Sequence, residues 1–264
     1  MKFEKTSVFN FDGALRGMRN PLESWNKSDS SWCDVRDCHV EKCAGCNCYD
    51  YEKAPYKCSL VDVNEEYRNI EMKYHIGQND LALAQKLIKR GSEHRKFMRQ
   101  IFVSVDITAP LYWWKEFDTY KVGTVANSTS TMHKLASTPI TKDCFEMDDF
   151  EPIIEDDKVS YSAEVYWRNL IKHLEELREM YNRSKNPRIW KALIRELPES
   201  WLQKRTVTFD YENLLAICSK GQRRFHKLTE WSNAFISWVR TLPYAQELIF
   251  IDEYEQKKEE KENG

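Results

Sequence analysis

Cysteine is the residue whose distribution most suggests chemistry. Of eight cysteines, six fall in one short segment: Cys33, Cys38, Cys43, Cys46, Cys48 and Cys58. Cys43 and Cys46 form a CxxC pair, a spacing that lets two thiolates meet one tetrahedral Zn²⁺. Because a second pair must complete such a site, the sequence predicts zinc on Cys33, Cys38, Cys43 and Cys46, with Cys48, Cys58 and His39 as alternatives. Spare thiols in a polar loop, redox chemistry or an iron–sulfur cluster remain the other interpretations.

Two further groups of side chains could bind a phosphate. The segment from Asn127 to Met132 reads NSTSTM and offers hydroxyls beside the amides of a possible helix start. The second group is basic and comprises Lys220, Arg223, Arg224 and Lys227, with His226 among them. The alternative for the first group is a capping and turn segment, whereas the second group coincides with a charge cluster that favours anion binding.

Composition excludes several classes of protein. In 264 residues, 31% are charged and 41% are hydrophobic, which excludes general disorder. The net charge of −2 gives no strong nucleic-acid signal, and no apolar run is long enough to predict a membrane span. The first ten residues lack the pattern of a secretory signal, so we expect a cytoplasmic protein, in which a disulfide framework is disfavoured.

The common catalytic and cofactor motifs are missing from the sequence. No predicted strand–helix junction carries GxGxxG, GxxxxGK[ST] or GxSxG, which disfavours Rossmann, P-loop and serine-hydrolase chemistry. The zinc deaminases pair HxE with PCxxC, and the sequence has no PCxxC, because Lys42 precedes Cys43-Ala-Gly-Cys46.

Hydrophobic patterning predicts helices with few strands. Alternating apolar residues predict a strand from Ile101 to Ile107, which Ala109-Pro110 ends. Pro110 suits the first turn of a helix expected from Leu111 to Lys121. Further helices are predicted over 79–91, 160–182, 211–219 and 226–241 and from Pro187, with a strand over 205–209.

This order of elements indicates an α/β (α+β) fold. We expect a single domain over residues 1–255, with a Cys-rich insert over 26–60 and a charged tail over 256–264.

From Arg90 to His133 the sequence resembles the flavin-dependent thymidylate synthases. In that family a strand passes through Ala-Pro into a helix carrying Arg-His-Arg, and Asn-Glu-x-Ser-x-Arg follows. Here the Arg-His-Arg positions hold Thr119, Tyr120 and Lys121. With one inserted residue the second motif falls on Asn127 to Met132, where Asn127 and Ser130 match but the Glu and Arg positions hold Ser128 and Met132.

The resemblance continues through the second half of the chain. The family has Leu-Pro, a strand ending in Val-Asn-x-Arg, and a helix with Arg before Gln-Trp-Glu. The corresponding residues here are Leu197-Pro198, the strand from Arg205 to Phe209, Asp210 and Glu212 at the Asn and Arg positions, and Arg223 or Arg224 before Glu230-Trp231.

This resemblance implies a mixed or antiparallel sheet packed by helices, and a homotetramer assembled around flavin sites. It also implies that NADPH reduces FAD and that the methylene of methylenetetrahydrofolate becomes the methyl of dTMP, made from dUMP. Carried over by position, cofactor and nucleotide binding would use Tyr120, Lys121, Asn127, Ser128, Thr129, Ser130, Arg223 and Arg224. The family pattern assigns no catalytic residue here.

Two functions are compatible with this pattern. One is a divergent flavin-dependent thymidylate synthase-like methyltransferase, supported by Asn127, Ser130, Lys121 and the basic cluster. The other is a non-catalytic nucleotide-binding or assembly protein of the same fold, of phage-like origin. It is supported by the loss of arginines, because lysine offers a point charge without the bidentate fork that holds phosphate.

Overall fold

A computed structural model describes residues 1–33, 73–120, 122–147, 151–156, 158–223 and 226–262. The α-helices are α1 (Phe11–Arg19), α2 (Gln78–Lys89), α3 (Leu111–Phe117), α4 (Thr131–Lys134), α5 (Glu164–Ser184), α6 (Pro187–Glu196), α7 (Tyr211–Cys218), α8 (Lys220–Arg223), α9 (Ile236–Val239), α10 (Ala245–Leu248) and α11 (Ile251–Glu262). A π-helix over Glu230–Phe235 precedes α9. No helix of these described ranges is long and apolar enough to cross a membrane.

The strands form one larger sheet and two small ladders. Their bounds are β1 (Lys2–Phe9), β2 (Ser31–Cys33), β3 (Lys73–His75), β4 (Phe102–Pro110), β5 (Val125–Ser128), β6 (Ile153–Glu155), β7 (Lys158–Tyr161) and β8 (Leu202–Asp210). The larger sheet has the order β1-β4-β8-β5, while β2 pairs with β3 and β6 with β7. Strands β5 and β8 are antiparallel, with Asn127 opposite Thr206 and Ser128 opposite Arg205.

Alternation along β4 gives this strand one apolar and one polar face. Val103, Val105, Ile107 and Ala109 are fully buried, whereas Ser104, Asp106 and Thr108 fall on the opposite face because strand side chains alternate. The same alternation in β8 buries Val207 and Phe209 and puts Lys204 and Thr206 on the other face. Strands β4 and β8 therefore both carry polar side chains on one face.

The chain divides into two compact units. The first comprises Met1–Thr6 and Ser104–Thr208, and the second comprises Ser7–Val103 and Phe209–Gly264. Within the first unit, α5 and α6 pack over a core of Leu135, Ile140, Phe145, Leu174 and Leu193. Helix α3 contributes Trp113 and Trp114, both fully buried.

The second unit contains a buried ion pair at the start of α2. Arg19 Nε donates to Asp80 Oδ1 at 2.5 Å, and the hydroxyls of Ser28 and Ser30 donate to Oδ2. Burial alone raises the pKa of Asp80, but these hydrogen bonds and the Arg19 charge outweigh it and hold the pKa below its ordinary value. The carboxylate therefore ties α1, α2 and the segment before β2 together.

The predicted strands and most predicted helices are confirmed, with two differences. Helix α3 ends at Phe117, four residues before the predicted Lys121, because the Thr119 hydroxyl and amide both bond the Glu116 carbonyl and close the last turn. In addition, no strand was predicted at β1, β2, β3, β5, β6 or β7, and no helix at α1, α4, α8, α10 or α11. Strand β5 consists of four exposed residues, so it lacks the apolar alternation by which strands are recognised.

The predicted Cys-rich insert can be followed only at its edges. Strand β2 pairs antiparallel with β3, with Ser31 opposite His75 and Cys33 opposite Lys73. Residues 34–60 of the insert lie outside the described residues, as do Cys38, Cys43 and Cys46. Helix α11 continues the chain through the charged tail as far as Glu262.

Candidate functional site

A cavity of about 740 Å³ lies within the first unit. Its wall includes Thr108 from β4, Lys204 from β8 and the consecutive hydroxyl residues Thr129, Ser130 and Thr131. This volume falls in the range of small-molecule sites, roughly 300–1,000 Å³. The cavity therefore brings part of the predicted phosphate-binding segment into a concave polar surface.

The hydroxyl segment is held in place by β8 and by the short helix α4. The Thr129 amide donates to the Lys204 carbonyl at 2.8 Å, and the Gln203 side chain donates to the Thr129 carbonyl at 3.1 Å. Ser130 is the N-cap of α4, where its hydroxyl accepts from the His133 amide. The capping role predicted as an alternative is therefore confirmed for Ser130.

The charges on the cavity wall are balanced. Among the described residues that line it, the lysines are Lys2, Lys134 and Lys204, and the acids are Glu4, Asp143 and Glu146. Such a wall provides hydroxyls and charges of both signs rather than a strongly basic surface. That donor set fits a ligand carrying a phosphomonoester and polar groups.

Lys204 is the cation most firmly fixed beside the cavity. Its ammonium lies 3.1 Å from Asp106 Oδ2 and 3.2 Å from Glu4 Oε2, and the Thr206 hydroxyl donates to Asp106 Oδ1 at 2.6 Å. Hydrogen bonds from Thr206 and Lys204 lower the pKa of Asp106, and Asp106 and Glu4 in turn raise the pKa of Lys204. The two carboxylates therefore neutralise this lysine before any ligand arrives.

Arg205, which the sequence analysis considered only as the first residue of a predicted strand, is held by several contacts in the first unit. The Arg205 guanidinium lies 4.2 Å from the ring centroid of Trp114 and donates to Asp118 at 2.8 Å and to the Gln203 side chain at 3.0 Å. Trp114 donates its ring N–H to the Gln203 carbonyl at 2.9 Å. A planar cation is thus held over an aromatic ring near the end of α3.

Two signals in the sequence could have identified Arg205. Its side chain is on the same face of β8 as Val207 and Phe209, because side chains alternate along a strand. A charged side chain on such an apolar face is rare unless it is paired with another group. The buried Trp113-Trp114 pair on the preceding helix supplies an aromatic surface for such a cation. Only the register between β5 and β8, however, brings Arg205 opposite Ser128.

The predicted site residues divide between the two units. Asn127, Ser128, Thr129 and Ser130 are consecutive in the first unit, and Tyr120 lies half-buried in the turn after α3. Arg223 belongs to the second unit, where its guanidinium pairs with Glu253. Lys121 and Arg224 lie outside the described residues.

The residues at the family's Asn and Arg positions have structural partners. Asp210 caps α7 in a reciprocal capping box with Asn213, and burial raises the pKa of its carboxyl. Glu212 accepts from Arg95 Nε at 2.8 and 3.0 Å. Both acids therefore organise the start of α7.

The predicted zinc site has no counterpart among residues whose side chains are described. In that part of the chain, no group of three or more histidine, cysteine, aspartate or glutamate side chains is arranged to hold a metal ion. Of the four proposed ligands, Cys33 is described only as part of the β2 backbone. Zinc binding therefore remains a prediction from the cysteine spacing.

Comparison with known proteins gives similarity in structure rather than in sequence. Neither a family model nor a curated protein matches the chain. Two crystal structures of the flavin-dependent thymidylate synthase ThyX from Helicobacter pylori, both with FAD and dUMP, align with a TM-score of 0.55 and 13% identity. Each alignment covers 96% of this chain and 99% of the other.

A third structure aligns less completely. The UMP/dUMP methylase PolB from Streptomyces cacaoi, bound to 5-Br dUMP, has a TM-score of 0.43 and 14% identity over 65% of this chain and 80% of the other. The near-complete alignment with ThyX agrees with the landmarks seen in the sequence. This chain has the fold of the flavin-dependent thymidylate synthases.

Proposed function

We propose that this chain binds FAD and a pyrimidine nucleotide, dUMP, as a divergent flavin-dependent thymidylate synthase-like protein that transfers a one-carbon unit to make dTMP. One observation carries the proposal. Thr129 and Ser130, which lie within the segment aligned with the family's Asn-Glu-x-Ser-x-Arg motif, line a cavity whose volume suits a small-molecule ligand. The shared fold supports it, since the similar ThyX structures contain both FAD and dUMP.

In this proposal the hydroxyls of Thr129 and Thr131 and the ammonium of Lys134 hold the nucleotide phosphate. All three residues line the cavity, and Lys134 is exposed there. Charge-assisted and hydroxyl hydrogen bonds to a phosphate are the contacts that such groups make. Lys204 keeps this wall in place through Asp106 and Glu4 rather than offering a free charge.

FAD, when bound, would accept electrons from NADPH, and methylenetetrahydrofolate would supply the carbon unit. Arg205 over Trp114 fits a role in orienting an anionic or aromatic ligand, because its guanidinium is already fixed in a plane. The proposed assembly is a homotetramer, and the proposed site of action is the cytoplasm.

A second candidate function is favoured by how the cations are paired. Arg223, Arg205 and Lys204 each have a carboxylate partner within the chain, namely Glu253, Asp118 and the pair Asp106 and Glu4. Glu212, at a position where the family has arginine, carries the opposite charge. A non-catalytic nucleotide-binding or assembly protein would retain the fold with cations arranged in this way.

The visible absorption spectrum of the purified protein, followed by calorimetry with FAD, dUMP and dTMP, tests the proposal. We expect flavin absorption and nucleotide binding below the millimolar range. Replacing both Thr129 and Thr131 by valine removes two hydroxyls at constant volume and should weaken dUMP binding about tenfold. Thr229→Val, which removes an exposed hydroxyl in the second unit, is the matched control.

Turnover with methylenetetrahydrofolate and NADPH separates the two candidates. Formation of dTMP supports the enzyme, whereas nucleotide binding without turnover supports the non-catalytic protein. If FAD binds and dUMP does not, the substrate differs from dUMP. If neither binds below the millimolar range, the enzyme proposal is wrong.

A further inference from the structure

Two arginines in the second unit converge on one carboxylate. Arg223 ends α8, Arg240 follows α9, and Glu253 lies in the first turn of α11. Arg223 Nη2 pairs with Glu253 Oε1, and Arg240 Nη2 donates to Glu253 Oε2 at 2.8 Å. Each carboxylate oxygen is therefore taken by a different guanidinium.

This cluster carries one positive charge more than its carboxylate can neutralise. The side chains of Arg223, Arg240 and Glu253 are 25%, 31% and 20% exposed, so water screens them only in part. Burial alone raises the pKa of Glu253, but the bonds from Arg240 and Arg223 outweigh it and lower the pKa. Glu253 is thus ionised at neutral pH between two cations.

The guanidiniums are positioned by more than the carboxylate. The Arg240 guanidinium lies 4.0 Å from the ring centroid of the buried Phe250, and its Nη1 contacts Gln246 at 3.4 Å. The Arg223 guanidinium lies 5.9 Å from the same ring. Within the described residues, Arg223 Nε is buried and makes no hydrogen bond. The aromatic ring would therefore help hold both cations if Glu253 left.

Helix α11 is held next to these arginines by the buried Ile251, the half-buried Tyr254 and a small number of polar contacts. Beyond the buried Ile251, Glu255 pairs with Lys89 and the Gln256 side chain accepts from Lys220 at 3.1 Å. Exposed ion pairs of this kind are weak, typically below about 1 kcal/mol. A dianion that binds two guanidiniums can therefore compete with the single charge of Glu253.

We propose that Arg223 and Arg240 form a binding site for a phosphomonoester dianion, and that Glu253 occupies this site as an internal ligand. Two guanidiniums bind the oxygens of a phosphate with charge-assisted bonds. Helix α11 then acts as a displaceable cover whose carboxylate must leave before the anion binds.

The proposed function places the dUMP phosphate on Thr129, Thr131 and Lys134 in the first unit, so this anion site is a separate one. The anion site itself rests only on the geometry of Arg223, Arg240 and Glu253. The experiment therefore uses inorganic phosphate as its probe, so that failure to bind dUMP or FAD and failure of this inference give different results.

Calorimetric titration of inorganic phosphate into the full chain tests the inference. Glu253→Gln keeps the shape of the side chain and removes its charge, so we expect phosphate to bind at least about tenfold more tightly than to the wild type. Asp252→Asn removes one charge from an exposed side chain in the first turn of the same helix without freeing an arginine, and should bind phosphate as the wild type does. Adding Arg240→Met to Glu253→Gln should abolish the gain.

A measurement on the wild type tests the inference even if the Glu253→Gln variant does not fold. Phosphate should speed hydrogen exchange of the α11 amides, relative to sodium chloride at equal ionic strength, because the anion displaces Glu253. Equal phosphate affinity of the wild type and a folded Glu253→Gln variant would contradict the inference. So would a gain that survives Arg240→Met, or unchanged α11 exchange in the wild type.

Discussion

The two compact units use ionic side chains in different ways. In the first unit, Lys204, Asp106 and Glu4 lie along the polar face of the sheet beside an open cavity. In the second unit, Arg19 and Asp80 are buried, with exposed fractions of 4% and 0%. Because unpaired buried charges are costly, the second arrangement tolerates little change, whereas the first leaves charges where a ligand can approach them.

The same contrast applies to the two cysteines whose side chains are described. Cys144 is half-buried and lines the cavity of the first unit, whereas Cys218 is 1% exposed at the end of α7 in the second. Burial raises the pKa of Cys218 to about 12, although Arg223 and Arg240 partly oppose the shift. The two cysteines therefore differ in how accessible they are to a reagent.

The largest expected difference between the two units is in the reactivity of Cys144 and Cys218. At pH 8, a thiol with a pKa of about 12 is ionised in only about one molecule in ten thousand. A labelling reagent added to the native protein counts the thiols that react rapidly. We expect Cys144→Ser to reduce this count by one. Cys218→Ser should leave that number unchanged, and equal labelling of both cysteines would contradict the contrast.

Breaking the buried ion pair should have the next largest effect. Asp80→Ala leaves the Arg19 charge buried and two serine hydroxyls without their acceptor, so we expect a loss of about 3–5 kcal/mol in the free energy of unfolding. Urea denaturation measures this loss. Asp118→Ala in the first unit is the control, because Asp118 is half-exposed and its removal should cost far less.

The pH dependence of stability should have opposite signs at two aspartates. Because the folded-state pKa of Asp80 is lowered, its ionised form stabilises the fold above about pH 4, and this contribution disappears as pH falls through the folded pKa. The destabilisation caused by Asp80→Asn should therefore shrink on acidification. Denaturation curves at several pH values measure it.

Asp210 should behave in the reverse manner. Burial raises its folded-state pKa, so its stabilising contribution is complete below the unfolded-state pKa and is lost as pH rises through the folded value. Asp210→Asn keeps a capping side chain and should gain stability relative to the wild type as pH rises. If the stability of the Asp80→Asn and Asp210→Asn variants, relative to the wild type, changed with pH in the same direction, one of the two pKa shifts would be wrong.

The smallest expected effect concerns Arg205 in the first unit. Arg205→Lys keeps the charge but loses the planar stacking on Trp114 and the fork to Asp118 and Gln203, at a cost of about 1 kcal/mol. Tryptophan fluorescence during urea denaturation measures the change. Lys204→Met, on the opposite face of the same strand, is the matched control and should leave the Trp114 environment unaltered.

The sequence by itself determined the elements with strong local signals. Strand β4 was predicted from the alternation of Val103, Val105 and Ile107, and α6 from the proline that opens it. The order of landmarks around Ala109-Pro110, Leu197-Pro198 and Arg205 to Phe209 was also enough to identify the fold, which the ThyX structures share. These features depend on residues close together in the chain.

Only the tertiary structure decided which charges are partners. The pairs Arg19–Asp80, Arg223–Glu253 and Arg205–Asp118 join residues 61, 30 and 87 positions apart. The short strand β5, with four exposed residues, likewise exists because β8 supplies its hydrogen-bond partners. Local sequence patterns carry no information on such distant contacts, since these depend on strand register and helix packing rather than on periodicity.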